Sequence, residues 1–376
     1  MSIQIFVPKF RTDECLAEIK ECLDKGWTGM GFKTQVFEEK WCDYTGLPQA
    51  HFLNSNTVGL HLAFNLFKKH YNWADGDEVI TTPLTFVSTN HAILYEQLKP
   101  VFADIDDSLC LDPKSIAEKI TPKTRAVIYV GFGGNTGQLE EVAKLCKEKN
   151  LKLILDAAHM SGTRYKNQHV GHEADVAIFS FQAVKNLPTA DSGMICFKEK
   201  FFDDEVRKVT WLGINKDTFA RTTKQGNYKW KYDVESLGFK YHGNSIMASL
   251  GIVALRYLDE DNRYRRHLAG LYKNNLQNIP EIGFVATAPH CESAQHLFQI
   301  KVDKRDELID HLQNNQIYPG VHYRDNTEYD IYQHGANTCP RAHQVSQQLI
   351  SLPLHMNLSE DDVNHICKVI NAFYER

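Results

Sequence analysis

Lys185, in "SFQAVKNLPTADSGM" (180–194), follows an apolar run and opens a stretch of small polar residues. An ammonium carried into an apolar setting is costly unless it is paired or loses its proton, and a lysine without its proton is a nucleophile. Other reactive groups stand at similar places. Asp156 closes the apolar run "LKLIL" ahead of "AAHM", and a partly desolvated carboxylate there calls for a cationic or proton-donating partner such as a pyridinium nitrogen. His159, one turn on, can donate to a phenolic oxygen of the same ring. "NSNTVGLHLAF" (54–64) is a polar turn opening an apolar-periodic helix. Free N–H groups at Asn56 and Thr57, the Thr57 hydroxyl and the helix dipole make it an anion seat. Phe86 in "TPLTFVSTN" offers an aromatic face to a flat ring, and Ser180 lies just upstream of the lysine. Singly, these residues read as a helix cap, a core histidine, a core aromatic and a surface lysine. Jointly they supply what a pyridine-aldehyde phosphate needs: an anion seat, a carboxylate for the ring nitrogen, a stacking face and an amine for the aldehyde.

The elements that must position these groups are legible as changes of period. Runs at 77–82, 99–105, 125–130, 151–155, 174–181 and 192–197 read as strands; 57–71, 87–97, 113–120 and 138–150 read as helices. This alternation predicts an α/β fold with a largely parallel sheet covered on both faces, and a ligand site beyond the carboxyl ends of its strands. After residue 255 a long charged helix, one strand (296–302), a helix (303–315), an irregular stretch (318–340) and a last helix opening at "SEDD" (359–362) suggest a smaller α+β part. Ser359 and Asp362 have capping-box spacing. The expected division is a large cofactor-binding domain, 1–255, and a small C-terminal domain, 256–376.

With 376 residues, 43% of them hydrophobic, the chain can bury a large core. A net charge of −5, with basic residues scattered, argues against nucleic acid or a membrane as partner and for a small molecule. Nine cysteines without a C-x-x-C pair suggest neither a disulfide framework nor a zinc site. The first residues resemble neither a signal nor a transit peptide, so a cytoplasmic location is expected.

The chain resembles the fold-type I pyridoxal-phosphate enzymes, and more narrowly the sugar aminotransferases of the DegT/DnrJ/EryC1/StrS family. The resemblance is carried by "GWTGMGFKTQVFEEKWCDYTG" (26–46), "TPLTFVSTNHAI" (82–93), "LILDAAHMSGT" (153–163), "SFQAVKNLPTADSGM" (180–194), "YHGNSIMASLGIVAL" (241–255) and "SLPLHMNLSEDDV" (351–363). It implies that Lys185 binds pyridoxal 5'-phosphate covalently, Asp156 pairs with the pyridinium nitrogen, His159 sits by the ring hydroxyl and Phe86 stacks on the ring. Asn56, Thr57 and Ser180 would hold the phosphate, and Asn244 would reach the phosphate of the other subunit of a homodimer with shared sites. Some relatives carry histidine at the lysine position and act as dehydratases, so Lys185 implies transamination, with glutamate the usual amino donor.

The acceptor is less constrained. Relatives acting on nucleotide-linked keto sugars usually carry a histidine a few residues beyond "VHY"; here Arg324, Asp325 and Glu328 occupy that region. His322, Tyr323 and Arg324 are candidate substrate contacts, as are Tyr232 and Tyr241 in "WKYDVESLGFKYHGN" (230–244), serving a partner's site. Because arginine binds phosphate or carboxylate directly, a small phosphorylated ketone or aldehyde is an alternative acceptor. Two rival readings are an NAD-dependent oxidoreductase and a non-catalytic binding relative. The first would rest on "AVIYVGFGGNTGQLEEVAKL" (126–145), but the last glycine of G-x-G-x-x-G is replaced by Thr136. The second would be signalled by loss of Lys185 or Asp156, and both are present.

Overall fold

The computed structural model describes residues 2–215 and 232–375. Its centre is a seven-stranded sheet in the order His51–Leu53, Gly193–Phe197, Val176–Ser180, Lys152–Asp156, Thr124–Val130, Glu78–Thr81, Lys99–Phe102. Within it, Gly193–Phe197 runs antiparallel to its two neighbours and the other six strands share one direction. The mostly parallel α/β architecture expected from the alternating periods is therefore present. Strand side chains alternate between two cores. Val127, Tyr129, Leu153, Leu155, Ala177 and Phe179 enter one, and Ala126, Ile128, Ile154, Val176 and Ile178 enter the other. Each fully buried Val, Leu, Ile or Phe contributes roughly 1.5–3 kcal/mol, so the sheet is a stiff platform for whatever its edge carries.

The helices between these strands begin where local chemistry starts them. Ser55 caps Asn56–Tyr71 by accepting from Val58 N at 3.3 Å. Asp112 caps Pro113–Lys119 through Lys114 N at 2.9 Å, with proline at the first helical position. The strand leading into the Ser55 turn is pinned by Glu38, whose carboxylate accepts from Phe52 N (2.8 Å) and Arg207 Nη1 (2.8 Å) and bonds His51 Nδ1 (3.0 Å). Burial would raise this acid, but these partners outweigh it and hold it at about 2.

A third core gathers Leu268, Tyr272, Phe298, Ile300, Ile350, Leu352, Ile366 and Ile370 around the antiparallel strands Gly283–Phe284, Phe298–Lys301 and Leu349–Leu352. The expected division at residue 255 falls inside one 32-residue helix, Ser245–Leu276. Its N-terminal half packs with Thr12–Asp24 and Phe32–Thr45, and Leu268, Tyr272 and Leu276 near its end lie in the third core. The irregular stretch 318–340 contains two short 3-10 turns, Asn326–Glu328 and Asp330–Gly335. It is tied to the loop after Glu78–Thr81: Asn326 N donates to Pro83 O and its side-chain amide to Thr85 O, each at 2.8 Å. Ser359 and Asp362 form the capping box of Glu360–Tyr374. No described helix is long and apolar enough to cross a membrane.

Candidate active site

Because six strands share one direction, their last residues meet at one edge, and the antiparallel strand Gly193–Phe197 begins there. A cavity of about 410 Å³ opens at that edge. Asn56, Thr57, Phe86, Asp156, His159, Ser180 and Lys185 all line it, so the structure brings together every cofactor-binding candidate except Asn244.

Lys185 sits in a tight turn beyond Val176–Ser180, held by its own N–H to Gln182 O (2.8 Å) and by Val184 N to Gln182 Oε1 (3.0 Å). Burial lowers the lysine to about 8, opposed by the negative charge of Asp156. The neutral share of the amine near pH 7 is thus about a tenth, far above that of an ordinary lysine. Asp156, 4% exposed, ends its strand. Its carboxylate accepts from Thr89 Oγ1 (2.8 Å) and Ala158 N (3.2 Å), and Thr89 is bonded in turn to Thr85 (2.9 Å). Burial raises the acid, while these donors and the Lys185 charge favour its anion.

His159 accepts from Gly133 N at Nδ1 (3.2 Å), which places its proton on Nε2, facing the Tyr323 hydroxyl at 3.2 Å. Burial, then the charge of Lys185, pushes it well below the ordinary histidine range, so it is neutral. The Asn56 and Thr57 N–H groups, first in their helix, take no hydrogen bond among the described residues. The Asn56 side chain, however, donates inward to Ile178 O at 3.1 Å, leaving its backbone to face an anion. Phe86 is 58% exposed, with its ring 6.0 Å from Tyr323.

The chain beyond the long helix supplies His296, His322 and Tyr323 to the cavity, and the N-terminal segment supplies Phe6. His296 was not anticipated. Asn186 gives both amide hydrogens, to Asn262 Oδ1 and Ala294 O (2.7 Å each), so its oxygen must accept from His296 Nδ1 at 2.9 Å. His296 lies with its ring centroid 4.4 Å from that of His159 and stacks on Phe6. His322 bonds Ser351 Oγ at 2.9 Å and is lowered by burial to about 4.

Four candidates lie outside this cavity. Asn244 caps the long helix through Met247 N at 3.0 Å. Tyr241 stacks on Phe239 at 4.7 Å, and Tyr232 is exposed; residues 230 and 231 of that stretch are outside the described residues. The Arg324 guanidinium is paired with Glu328 and lies over the Tyr329 ring, because a four-residue spacing brings that carboxylate within its reach. Arg324 therefore does not line the cavity as the sequence suggested.

These residues fit a phosphorylated pyridine aldehyde. The cavity pairs a lysine lowered toward neutrality with a buried carboxylate, and the free helix N-terminus stands beside Ser180 and Ser192. At Gly193 a Cβ would come within 2.8 Å of Asn56 N and Ser55 C, so the absence of a side chain keeps that seat in place. Among the described residues no group of His, Cys, Asp and Glu could hold a metal ion.

The family model of the DegT/DnrJ/EryC1/StrS aminotransferases matches residues 10–371. The spore coat polysaccharide biosynthesis protein SpsC of Bacillus subtilis is 33% identical, over 95% of this chain and 93% of its own. Helicobacter pylori PseC, an aminotransferase involved in the biosynthesis of pseudoaminic acid, superposes with a TM-score of 0.92 at 27% identity over 100% of both chains. Spr1654 of Streptococcus pneumoniae, solved in its PLP form, gives a TM-score of 0.91 at 26% identity, over 100% of this chain and 99% of its own. Family model, solved relatives and cavity chemistry agree: the chain belongs to the DegT/DnrJ/EryC1/StrS aminotransferase family, and pyridoxal 5'-phosphate is its cofactor.

Proposed function

We propose that the chain moves an amino group from glutamate to the keto group of a nucleotide-linked sugar, in the synthesis of a glycan or polysaccharide precursor. The carrying observation is that Lys185, lowered by burial to about 8, and the buried Asp156 line one cavity; the acceptor class is supported by what SpsC and PseC are said to make. When bound, the cofactor supplies a carbonyl that carries the amino group and a ring that takes up electron density. Lys185 Nζ would hold the cofactor at that carbonyl and, when free, would carry a proton from the donor's α-carbon to the carbonyl carbon, so that none is lost to solvent. Asp156 keeps a proton on the ring nitrogen, and Thr89 and Ala158 N hold its carboxylate in place. His159 donates from Nε2 to the ring oxygen, Phe86 covers the ring, and Thr57, Ser180 and the Asn56 N–H hold the phosphate. His322 and Tyr323 face the acceptor.

The protein works in this reading as a cytoplasmic homodimer. Asn244, Tyr232 and Tyr241 lie outside their own chain's cavity, as residues serving a partner's cavity must. The alternative acceptor, a small phosphorylated ketone, rests on Arg324. With that side chain engaged by Glu328, Lys185 is the lone Arg or Lys among the described lining residues, and no observation favours a second phosphate there. The test is to load the enzyme with pyridoxamine 5'-phosphate and offer nucleotide-linked keto sugars and small keto phosphates separately. Only the former should restore the visible absorbance of the aldehyde form; restoration by keto phosphates alone would overturn the acceptor assignment.

A further inference from the structure

A second cleft of about 410 Å³, as large as the catalytic cavity, lies between the Phe132–Gly133 turn, the end of the long helix and the strand Phe298–Lys301. That volume is within the range of small-molecule sites. One wall is a single helical face, Arg266, Ala269, Gly270 and Lys273, at the spacing that keeps side chains on one side. The middle of this face is bare. A Cβ at Gly270 would meet nothing within 4 Å, although glycine in a helix interior costs stability relative to alanine.

The chemistry of the walls is specific. Arg266 is already paired with Glu292 at 2.8 Å, whereas Lys273 has neither an ion pair nor a side-chain hydrogen bond among the described residues. Gln295 and Gln299 donate their side-chain N–H groups to Leu297 O (2.8 Å) and His322 O (2.7 Å), and their side-chain oxygens accept nothing among the described residues. Phe284 and Phe298 add aromatic surface. An unpaired cation, two free acceptors and aromatic walls suit a ligand with an anionic group, N–H or O–H donors and a flat ring.

The cleft also shares a wall with the catalytic cavity. Gly133 N donates to His159 Nδ1 (3.2 Å), Gly133 O accepts from His296 N (3.1 Å), and the Gln299 amide donates to His322 O. Each of the three catalytic-cavity histidines is thus hydrogen-bonded to a residue lining the cleft.

We propose that this cleft is a second ligand site, for a nucleoside monophosphate or a close analogue, and that its occupancy alters the catalytic cavity through Gly133 and Gln299. The phosphate sits at Lys273, the base and ribose meet the glutamine oxygens and the aromatic wall, and no covalent step is involved. The cleft's own lining carries the inference, and the filled-cavity arm of its test rests on the proposed acceptor class.

The test is calorimetric titration of the holoenzyme with UMP, AMP and inorganic phosphate, repeated with a nucleotide sugar saturating the catalytic cavity. Gly270→Phe fills the floor and Lys273→Glu reverses the free charge, and neither touches the catalytic groups. At least one nucleotide should bind saturably with the catalytic cavity filled, about tenfold or more weaker in both variants, and change the rate of the glutamate half-reaction in the wild type. An unchanged half-reaction rate in the unliganded variants shows that they are folded; should Gly270→Phe fail to fold, Lys273→Glu carries the test. The site is refuted by absence of saturable nucleotide binding, by displacement on filling the catalytic cavity, or by equal affinity in the folded variants. Inorganic phosphate binding as tightly as the nucleotides refutes the ring contacts, and binding that leaves the half-reaction unchanged refutes the coupling.

Discussion

On the floor of the catalytic cavity Asp156 and His159 are 4% and 5% exposed and their side-chain polar atoms face partners, whereas at its rim Phe86 is 58% exposed and Arg324 is turned outward to Glu328. The floor hangs from strand ends whose side chains alternate between two packed cores, and a displacement there would open a void or break a buried bond. The rim hangs on loops, held to the sheet by a few contacts such as Asn326 to Pro83 and Thr85. In the proposed reading, chemistry common to any amino-group exchange belongs to the rigid part, and choice of acceptor to the adjustable part. That division can be broken by substitutions on either side of it.

The largest effect is expected on the floor. Asp156→Asn removes the anion proposed to pair with the ring nitrogen, and kcat should fall about 10²–10³-fold, the range for losing a preorganised electrostatic partner; stopped-flow rates of the glutamate half-reaction measure it. A fall of less than about fivefold would remove Asp156 from its proposed role. The pH dependence of cofactor capture comes next. Only the neutral amine reacts, and burial lowers Lys185 to about 8, so capture of pyridoxal 5'-phosphate by the cofactor-free protein should rise with pH and level off above about 8. A rise continuing toward the ordinary lysine range would show that the amine is not desolvated.

The rim should respond less. Phe86→Ala should weaken cofactor binding about 3- to 10-fold, the value of an aromatic contact at a part-exposed site, with kcat at saturating cofactor little changed; equilibrium titration reads it. Smallest of all, Arg324→Ala should change KM for the acceptor less than about twofold, since an exposed ion pair contributes little. A tenfold rise in KM would bring Arg324 back into the acceptor site and revive the keto-phosphate reading.

The contrast between floor and rim also explains what was legible beforehand. Lys185, Asp156, Asn56 and Thr57 sit at the ends of strands or the start of a helix whose periods are plain in the chain, and parallel strands bring such ends to one edge by construction. Thr89 and His296 carried no comparable local signal: Thr89 lies inside a helix, His296 lies in the loop just before the short strand Phe298–Lys301, and only tertiary packing aims them at the cavity. Short elements were lost for the same reason. His51–Leu53 is three residues long, and Leu349–Leu352 follows directly on a helix, so neither shows a period of its own. Arg324 was an anion-binding candidate because a cation near "VHY" invites an anion; in the structure the carboxylate four residues on pairs with it.

The whole account turns on which lysine carries the cofactor. Borohydride reduction of the holoenzyme, followed by peptide mass mapping, should place a single reduced pyridoxyl phosphate on Lys185 and none in Lys185→Ala. A tag on any other lysine of the wild type, or an undiminished visible band in the variant, would contradict it.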